Sequence, residues 1–182
     1  MLFKKKESWV ILGICVGFLA LSAISFLNTR SNLKRYEQAT NAAWAALESA
    51  VRSQAEAVGT LLADLRSRPE AADAMEAVVR ARDALAQARG PQAEAVAYNQ
   101  LWRQTEQLLS LAEGTNDAKL GATIARLRSG HRQVEECATR YNATARQYEI
   151  KLRKTPDSRV VEGLGLRARE YFKLPDVTAS DG

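Results

Sequence analysis

The sequence has few of the side chains from which catalytic and metal sites are built. Among 182 residues there is one histidine, His131, and there are two cysteines, Cys15 and Cys137. A site with two or more imidazole ligands is therefore excluded within one chain. Cys15 lies in an apolar run near the start of the chain and Cys137 lies in the polar part that follows, so the two are not expected to meet and we expect no internal disulfide. Glycine-rich phosphate loops, Cys-x-x-Cys pairs and serine nucleophile elbows are also missing. We predict no catalytic, cofactor-binding or metal-ligating residues, and no enzymatic activity.

Residues that favour turns and sheets are scarce as well. There are four prolines and ten glycines, and aromatic residues make up 7% of the chain. Alanine, a strong helix former, is abundant, and glycine and proline are rare inside the periodic stretches. The composition predicts an all-α fold.

One long apolar run stands near the start of the chain. Ser8–Leu27 contains no charged residue and follows a basic cluster, Lys4–Lys6. Twenty helical residues rise about 30 Å, the thickness of the hydrocarbon layer, so the run predicts a single transmembrane helix in contact with lipid. A cleaved signal peptide usually has a shorter apolar region of about 7–15 residues. Lipidation of Cys15 is disfavoured by the large Ile14 before it. We therefore favour a retained anchor.

The charges that flank the run say little about its orientation. Lys4, Lys5 and Lys6 precede the run, and Arg30, Lys34 and Arg35 follow it. The positive-inside rule counts these residues, and the count is equal. The first cluster is tighter and closer to the membrane. We predict that the amino terminus lies inside and the main domain outside the cytoplasm.

Four segments with helical periodicity follow the run. Their apolar stripes are predicted at these positions: Leu33, Tyr36, Thr40, Ala43, Leu47, Ala50, Val58, Leu61 and Leu65 in the first; Ala72, Met75, Val79, Arg82 and Leu85 in the second; Tyr98, Leu101, Thr105, Leu108 and Ala112 in the third; and Leu120, Ile124, Leu127, His131, Val134, Ala138, Tyr141, Ala145, Tyr148 and Leu152 in the fourth. The breaks between them are marked by Pro69, Gly90-Pro91 and the loop 113–116.

The fourth stripe keeps a seven-residue repeat throughout, which is the spacing of bundles with left-handed packing. Long first and last helices with a shorter pair between them predict an up-and-down four-helix bundle behind the transmembrane helix. The predicted regions are a basic flank at 1–7, the transmembrane helix at 8–28, the bundle at 29–172 and a flexible tail at 173–182.

The carboxyl-terminal part of the bundle is strongly basic. Arg140–Lys173 contains nine basic and four acidic residues. This region could contact anionic lipid headgroups, pair with the more acidic middle of the chain, or form a solvated face. Motifs for nucleic-acid binding are missing, so no nucleic acid is expected as a partner.

A group of motifs in the same region resembles the LemA family. Arg140-Tyr141-Asn142 is followed by Tyr148 seven residues after Tyr141, then by Pro156 and by the segment Gly163–Phe172, which ends in Tyr-Phe. Ala43-Trp44 also resembles the family pattern. Glu149 stands where a second asparagine would complete the repeat, and Thr155 replaces a phenylalanine. The resemblance implies a single-span bacterial membrane protein with a helical bundle and no agreed biochemical activity.

These motifs also supply the candidate interaction residues. We predict that the tail returns to dock on the last long helix, with glycines permitting turns and aromatics packing; display of the tail to a partner is the alternative. The candidate residues for interaction or tail docking are Tyr141, Asn142, Tyr148, Gly163, Gly165, Tyr171 and Phe172. His131, on the apolar seam, is interpreted either as a core histidine or as a group that titrates near neutral pH and loosens the core.

The resulting hypothesis is a membrane-anchored, non-enzymatic interaction or scaffold module. Its partners would be membrane lipid at Ser8–Leu27 and unidentified proteins, with self-association left open. The alternative is a membrane-surface organiser that binds anionic lipid through its basic carboxyl-terminal region.

Overall fold

The chain folds into four α-helices joined by short connections. The computed structural model describes residues 3–112, 118–154, 161 and 165–175, and it describes their side chains except for 3–15, 20 and 22. The helices are α1 (Phe3–Asp64), α2 (Ala72–Gln87), α3 (Pro91–Ala112) and α4 (Ala118–Lys154), with a 3-10 turn at Pro69–Ala71 before α2. The prediction of an all-α helical bundle is confirmed.

Backbone chemistry explains where the helices break. Pro69 occupies the first turn of the 3-10 segment, where a missing N–H costs little. Gly90 has φ +87°, a left-handed conformation that favours glycine, and α3 begins at the next residue, Pro91. The backbone N–H of Gly90 donates to Glu94 Oε1 at 3.2 Å. Burial raises the pKa of this glutamate, and the hydrogen bond from Gly90 opposes that shift.

The two long helices pack against each other, and the two short helices form a second pair. Contacts along α1 and α4 run in opposite directions: Asp64 Oδ1 accepts from Lys119 Nζ at 2.6 Å, whereas Tyr36, much earlier in α1, lies beside Lys151. The helices are therefore antiparallel, as an up-and-down bundle requires.

The predicted stripes of the long helices face the core, with local exceptions. Thr40, Leu47, Leu61 and other predicted residues of α1 are buried, and Gln54, which interrupts the pattern, is buried too. Eight of the ten predicted residues of α4 are buried; His131 and Leu152 are half-buried.

The stripe predicted for α2 is right at Leu85 and wrong by about one residue along the rest of the helix. Its buried side chains are Val78, Ala81 and Leu85, with Ala71 just before the helix. Ala72 is exposed, and the predicted Met75, Val79 and Arg82 are only partly buried. In an alanine-rich helix two neighbouring stripes differ little in apolar area, so tertiary contacts choose between them.

The apolar run lies in the same unbroken helix as the first face of the bundle, because α1 extends from Phe3 to Asp64. Within the part of the chain whose side chains are described, no helix is long and apolar enough to span a bilayer. Much of the predicted span Ser8–Leu27 lies outside that part, since the side chains of 8–15, 20 and 22 are not described.

Candidate interaction site

Residues 165–175, which we call the tail segment, lie against the bundle. Phe172 is 0% exposed, and its ring centroid lies 6.3 Å from those of Trp44 on α1 and Tyr98 on α3. Trp44 also packs on Tyr141 of α4 with a centroid distance of 5.1 Å. One tail residue therefore fills a site formed by three helices.

Asn142 holds the backbone of Phe172 at two points. Its Nδ2 donates to the carbonyl oxygen of Phe172 at 2.9 Å, and its Oδ1 accepts from the N–H of Phe172 at 2.9 Å. Burying the phenyl ring would otherwise leave these backbone groups without partners, at a cost of about 1–3 kcal/mol for each group. The asparagine thus fixes the register of the tail as well as its position.

Further hydrogen bonds extend along the tail on both sides of Phe172. The hydroxyl of Tyr141 donates to the carbonyl of Glu170 at 2.8 Å. Asn99 Nδ2 on α3 donates to the carbonyl of Lys173 at 3.0 Å. Together with Asn142, these side chains contact the tail mainly through its backbone. We call this surface, formed by Trp44, Tyr98, Asn99, Tyr141, Asn142 and Glu149, the tail groove.

Two side chains of the tail are bound through charge. The hydroxyl of Tyr171 donates to Glu149 Oε2 at 2.7 Å, and Arg169 lies 3.4 Å from Glu37 Oε1 and 3.1 Å from Asn41 Oδ1. The bond from Tyr171, followed by that from Arg153, lowers the pKa of Glu149. The same bond to Glu149 and burial raise the pKa of Tyr171.

The structure brings four of the predicted residues together: Tyr141, Asn142, Tyr171 and Phe172. Tyr148 is buried on the same face of α4, and burial raises the pKa of its hydroxyl. Within the described part of the chain that hydroxyl has no hydrogen-bond partner.

The two predicted glycines contribute less. Gly165 forms an exposed turn with φ +66°, and Gly163 lies outside the described residues. The packing continues past Phe172 into the region predicted as a flexible tail, where Leu174 is 3% exposed. Its aliphatic side chain continues the packed segment, and 176–182 lie outside the described residues.

Four residues of the groove were not predicted from the sequence as contacts of the tail. Trp44 was assigned only to the family pattern, and Tyr98 only to the apolar stripe of the third segment. Asn99 had no assignment, and Glu149 was treated as a departure from a repeat. Glu149 lies seven residues after Asn142, so both face the tail from one side of α4. That spacing was the signal available for Glu149; Asn99 had none.

His131 lies among aromatic rings next to the groove. Its ring stacks on Trp102 with a centroid distance of 3.8 Å and an interplanar angle of 6°. Its Nδ1 shares a hydrogen bond with the hydroxyl of Tyr98 at 2.8 Å, and its Nε2 lies 3.5 Å from Glu135 Oε1. Burial, and then the charge of Glu135, raises the pKa of Tyr98. The described residues contain no group of three or more histidine, cysteine or acidic side chains that could hold a metal.

Two cavities lie outside the groove. The first, which we call the basic cleft, has a volume of about 510 Å³ and is lined by Thr29, Asn32, Leu33, Arg35, Tyr36, Ala39, Lys151 and Lys154. The second cavity, of about 620 Å³, lies between α1, α2 and the start of α3. Its charged lining residues are Glu48, Arg52, Glu56, Arg82, Asp83, Arg89 and Glu94. The second cavity therefore mixes both signs of charge, whereas the charged residues that line the basic cleft, among those the structure describes, are all cations.

The fold and the groove define a helical-bundle protein whose carboxyl-terminal tail is bound by its own last helix. The chain belongs to the LemA family, which it matches over residues 43–181, and the predicted resemblance is confirmed. This match includes all residues of the tail groove. A comparison with curated proteins gives no match.

Proposed function

We propose that this protein is a membrane-anchored, non-enzymatic helical bundle that acts as an interaction or scaffold module at the bacterial cytoplasmic membrane. The observation that supports this proposal best is the change of surface along α1. Large apolar side chains are exposed before Asn28, and the buried face of the bundle begins at Leu33.

The exposed apolar side chains are large and closely spaced. Phe18, Leu19 and Leu21 are 72%, 68% and 69% exposed, and the remaining members of the group are Val16, Ile24, Phe26 and Leu27. Soluble proteins rarely expose continuous apolar surface of this kind, whereas a bilayer would cover it on all sides. The uncharged length Ser8–Leu27 fits one crossing of the hydrocarbon layer.

The interaction role is supported by the chemistry of the tail groove. Asn99, Tyr141 and Asn142 bind backbone atoms of an extended segment, which is how proteins commonly hold peptides. Asn99, Tyr141, Asn142 and Glu149 each bind the tail segment, so the proposal assigns no reaction to them. Protein partners would meet the bundle at this groove, at the tail or on the helix faces.

Membrane extraction tests the anchor. We expect the full-length protein to stay with membranes after alkaline carbonate treatment. Leu19→Arg combined with Leu21→Arg should release it, because each charge near the centre of a span costs about 2.5–3.5 kcal/mol. The matched control, Ala42→Arg with Ala46→Arg, adds the same charges at exposed positions of α1 in the bundle. Release of the unaltered protein, or loss of its first thirty or so residues, would contradict the anchor.

Proximity labelling in native membranes tests the scaffold role and the side of the membrane. A labelling enzyme fused to the full chain should mark proteins that the same enzyme fused to residues 1–32 alone does not mark. We expect these neighbours to lie outside the cytoplasm, as the tight Lys4–Lys6 cluster favours. A full chain with no additional neighbours would contradict the scaffold role.

A second function, organisation of anionic lipid at the membrane surface, is favoured by one observation. The basic end of α4 lies next to the part of α1 that follows the apolar run, since Lys151 Nζ is 5.4 Å from the ring centroid of Tyr36. In this proposal the basic region Arg140–Lys173 contacts lipid headgroups and the bundle arranges them.

A further inference from the structure

We propose that the tail groove also joins two copies of this chain, with the tail segment of each copy bound in the groove of the other. This proposal rests on the proposed function, because it names a second copy of the chain as a partner of the anchored interaction module. It goes beyond the docking of the tail on its own bundle, since the same contacts then hold two bundles together in one membrane.

The contacts that hold the tail segment join residues that are far apart in the sequence. The bond between Tyr171 and Glu149 spans 22 residues, and the bond between Arg169 and Glu37 spans 132. The buried ring of Phe172 lies against aromatic rings of α1 and α3, and its backbone is bound from α4. Because these contacts do not depend on neighbours in the sequence, a tail segment that comes from another chain would form the same contacts.

A second copy of the chain has the side chains that this groove binds. The groove takes an arginine beside Glu37, a tyrosine hydroxyl at Glu149 and a phenyl ring in the site between three helices. Leu174, which is also buried, adds an apolar group two residues after the ring. These groups follow one another as Arg-x-Tyr-Phe-x-Leu in residues 169–174. Every copy carries this segment, so two copies are complementary to each other at both grooves.

The connection between the bundle and the tail segment is long enough to reach a neighbour. Ten residues, 155–164, join the end of α4 at Lys154 to the tail segment, and ten residues span up to about 33–36 Å. A bundle of two helix pairs is about 20–25 Å across, because each helix with its side chains is about 10–12 Å wide. The groove is close to the end of α4, since Glu149 stands five residues, about 7–8 Å, before Lys154. The tail segment of one copy can therefore enter the groove of an adjacent copy without a change in the helices.

The continuous helix α1 brings the grooves of two anchored copies to the same height. It runs from Phe3 through the apolar run to Asp64. Trp44 of the groove is therefore held at a fixed distance from the bilayer, about 25 Å beyond Leu27. A two-fold axis along the membrane normal keeps both apolar runs in the same bilayer and makes the exchange reciprocal. Each tail then has only a lateral distance to cover to the second groove.

The tail of the same chain competes with the tail of the neighbour. A connection of ten residues gives a chain's own tail an effective concentration of about millimolar at its groove. Exchange therefore increases with the density of copies in the membrane, where the anchor confines all grooves to one layer. We expect single copies at a low ratio of protein to lipid and exchanged dimers at a high ratio.

Crosslinking between two differently tagged full-length proteins tests the exchange. Both proteins carry Cys15→Ala and Cys137→Ala; one also carries Asn99→Cys and the other carries Lys173→Cys. These positions adjoin when the tail is bound, because Asn99 Nδ2 donates to the Lys173 carbonyl at 3.0 Å. The proteins are reconstituted together in phosphatidylcholine vesicles and treated with a short bismaleimide. We expect a crosslinked species with both tags, whose yield falls at least about fivefold when lipid dilutes the protein about tenfold.

Two matched variants separate exchange from random collision. A chain with both Asn99→Cys and Lys173→Cys is the positive control, and it should crosslink within one chain at low protein density. The negative control replaces Lys173→Cys by Ala42→Cys, at an exposed position of α1 two residues from Trp44 and outside the tail. Its crosslink with Asn99→Cys in a second copy measures collision. Equal yields from the Lys173 and Ala42 pairs would overturn the exchange.

A synthetic peptide of residues 165–175 tests the groove without altering the protein further. Present during reconstitution at about millimolar concentration, it should lower the yield of the crosslinked dimer at least about twofold, because it competes with the tail of the neighbour. The same peptide with Phe172→Ala should leave the yield unchanged, because it lacks the ring that the helices bury. A dimer that persists with the unaltered peptide, or that both peptides reduce equally, would overturn the exchange.

Failure of the exchange is distinguishable from failure of the proposed function. Carbonate extraction and proximity labelling test the anchor and the scaffold role, and neither measurement uses the crosslink. If the double variant crosslinks within one chain and no species with both tags forms at any protein density, the exchange is overturned while tail docking and the anchor stand. Absence of both crosslinks would overturn the contact between Asn99 and the tail, and the exchange with it.

Discussion

The tail groove and the basic cleft both lie along α1 and α4, with α3 completing the groove, but their polar side chains have different surroundings. In the groove, Asn142, Tyr141 and Glu149 all have partners in the tail segment. In the cleft, the described charged residues that line the cavity are three cations, Arg35, Lys151 and Lys154, all of them exposed. The comparison teaches that one pair of helices can bind a segment of the chain through buried polar contacts at one level and leave exposed charges around a cavity at another, and the two surfaces should contribute differently to stability.

The largest effect on stability should come from removing the buried aromatic side chain of the tail segment. Phe172→Ala removes a fully buried ring between α1, α3 and α4, and should lower the free energy of unfolding by about 3–5 kcal/mol. Urea unfolding of the full-length protein in detergent, followed by circular dichroism, measures it. Lys173→Ala, at the exposed next side chain, should change it by less than about 0.5 kcal/mol. A loss for Phe172→Ala no larger than for Lys173→Ala would show that the groove does not stabilise the bundle.

A smaller effect should follow from loss of the asparagine contacts. Asn142→Ala removes two hydrogen bonds and leaves the N–H and carbonyl of Phe172 without this partner, so the free energy of unfolding should fall by about 2–3 kcal/mol. Asn142→Asp keeps an acceptor for the N–H but loses the donor, and should lie between the alanine variant and the unaltered protein. Equal stability of all three proteins would contradict a stabilising role for the two hydrogen bonds between Asn142 and Phe172.

The contact between α1 and α4 offers a matched pair of glycine substitutions. A Cβ at Gly130 would overlap Gln54 Oε1, so the buried glutamine would shift and weaken the bond from its Nε2 to the Leu127 carbonyl. Gly130→Ala should therefore lower stability by about 1 kcal/mol despite the higher helix propensity of alanine. Gly121→Ala, with nothing within 4 Å of its Cβ, should raise stability by up to about 1 kcal/mol. Thermal unfolding that moves both variants in one direction would contradict this account.

The stability of the docked tail should depend on pH through the carboxylate of Glu149. Because Tyr171 and Arg153 lower the pKa of Glu149 below its ordinary value of 4.5, the folded tail favours the charged carboxylate. The resulting stability is fully present above pH 4.5 and is lost as the pH falls through the lower, folded-state pKa. The NMR amide shift of Phe172 should therefore move towards an undocked value on acidification. Glu149→Gln should weaken this pH dependence, and an unchanged profile would contradict the role of Glu149.

The smallest effect on stability should come from the basic cleft. Replacing Arg35, Lys151 and Lys154 by glutamine should change the free energy of unfolding by less than about 0.5 kcal/mol, because these side chains are exposed and fill no core. Urea unfolding without added lipid measures it. A loss as large as that of Phe172→Ala would mean that the cleft cations stabilise the fold like the groove, and would remove the difference between the two surfaces.

The sequence predicted most where one pattern had no close competitor. The repeat from Leu120 to Tyr148 places one stripe on α4, and almost all of it is buried. In α2 the alanines allow neighbouring stripes, and only packing against α3 selects Val78 and Ala81. Periodicity alone therefore predicted the fold class but not every buried face.

Long-range polar contacts could not be predicted in the same way. The heptad shows that Tyr141 and Tyr148 share a face, but not that Asn142 binds the backbone of Phe172 thirty residues later. Gln54, between Ala50 and Val58 of the predicted stripe, was not predicted to be buried, because its partner, the Leu127 carbonyl, is 73 residues away. Such contacts depend on the placement of whole helices, which single-sequence patterns do not contain.

The unbroken course of α1 has a geometric consequence for any partner. Trp44 stands 17 residues after Leu27, so the groove is held about 25 Å from the end of the apolar run, with no swivel between them. The orientation of the groove about the axis of α1 is fixed as well, because each helical residue turns the chain by about 100°. With the membrane anchor proposed above, a single inserted residue in this stretch would turn the groove by about 100°, and a partner fixed in the same bilayer would then meet a different face of the bundle.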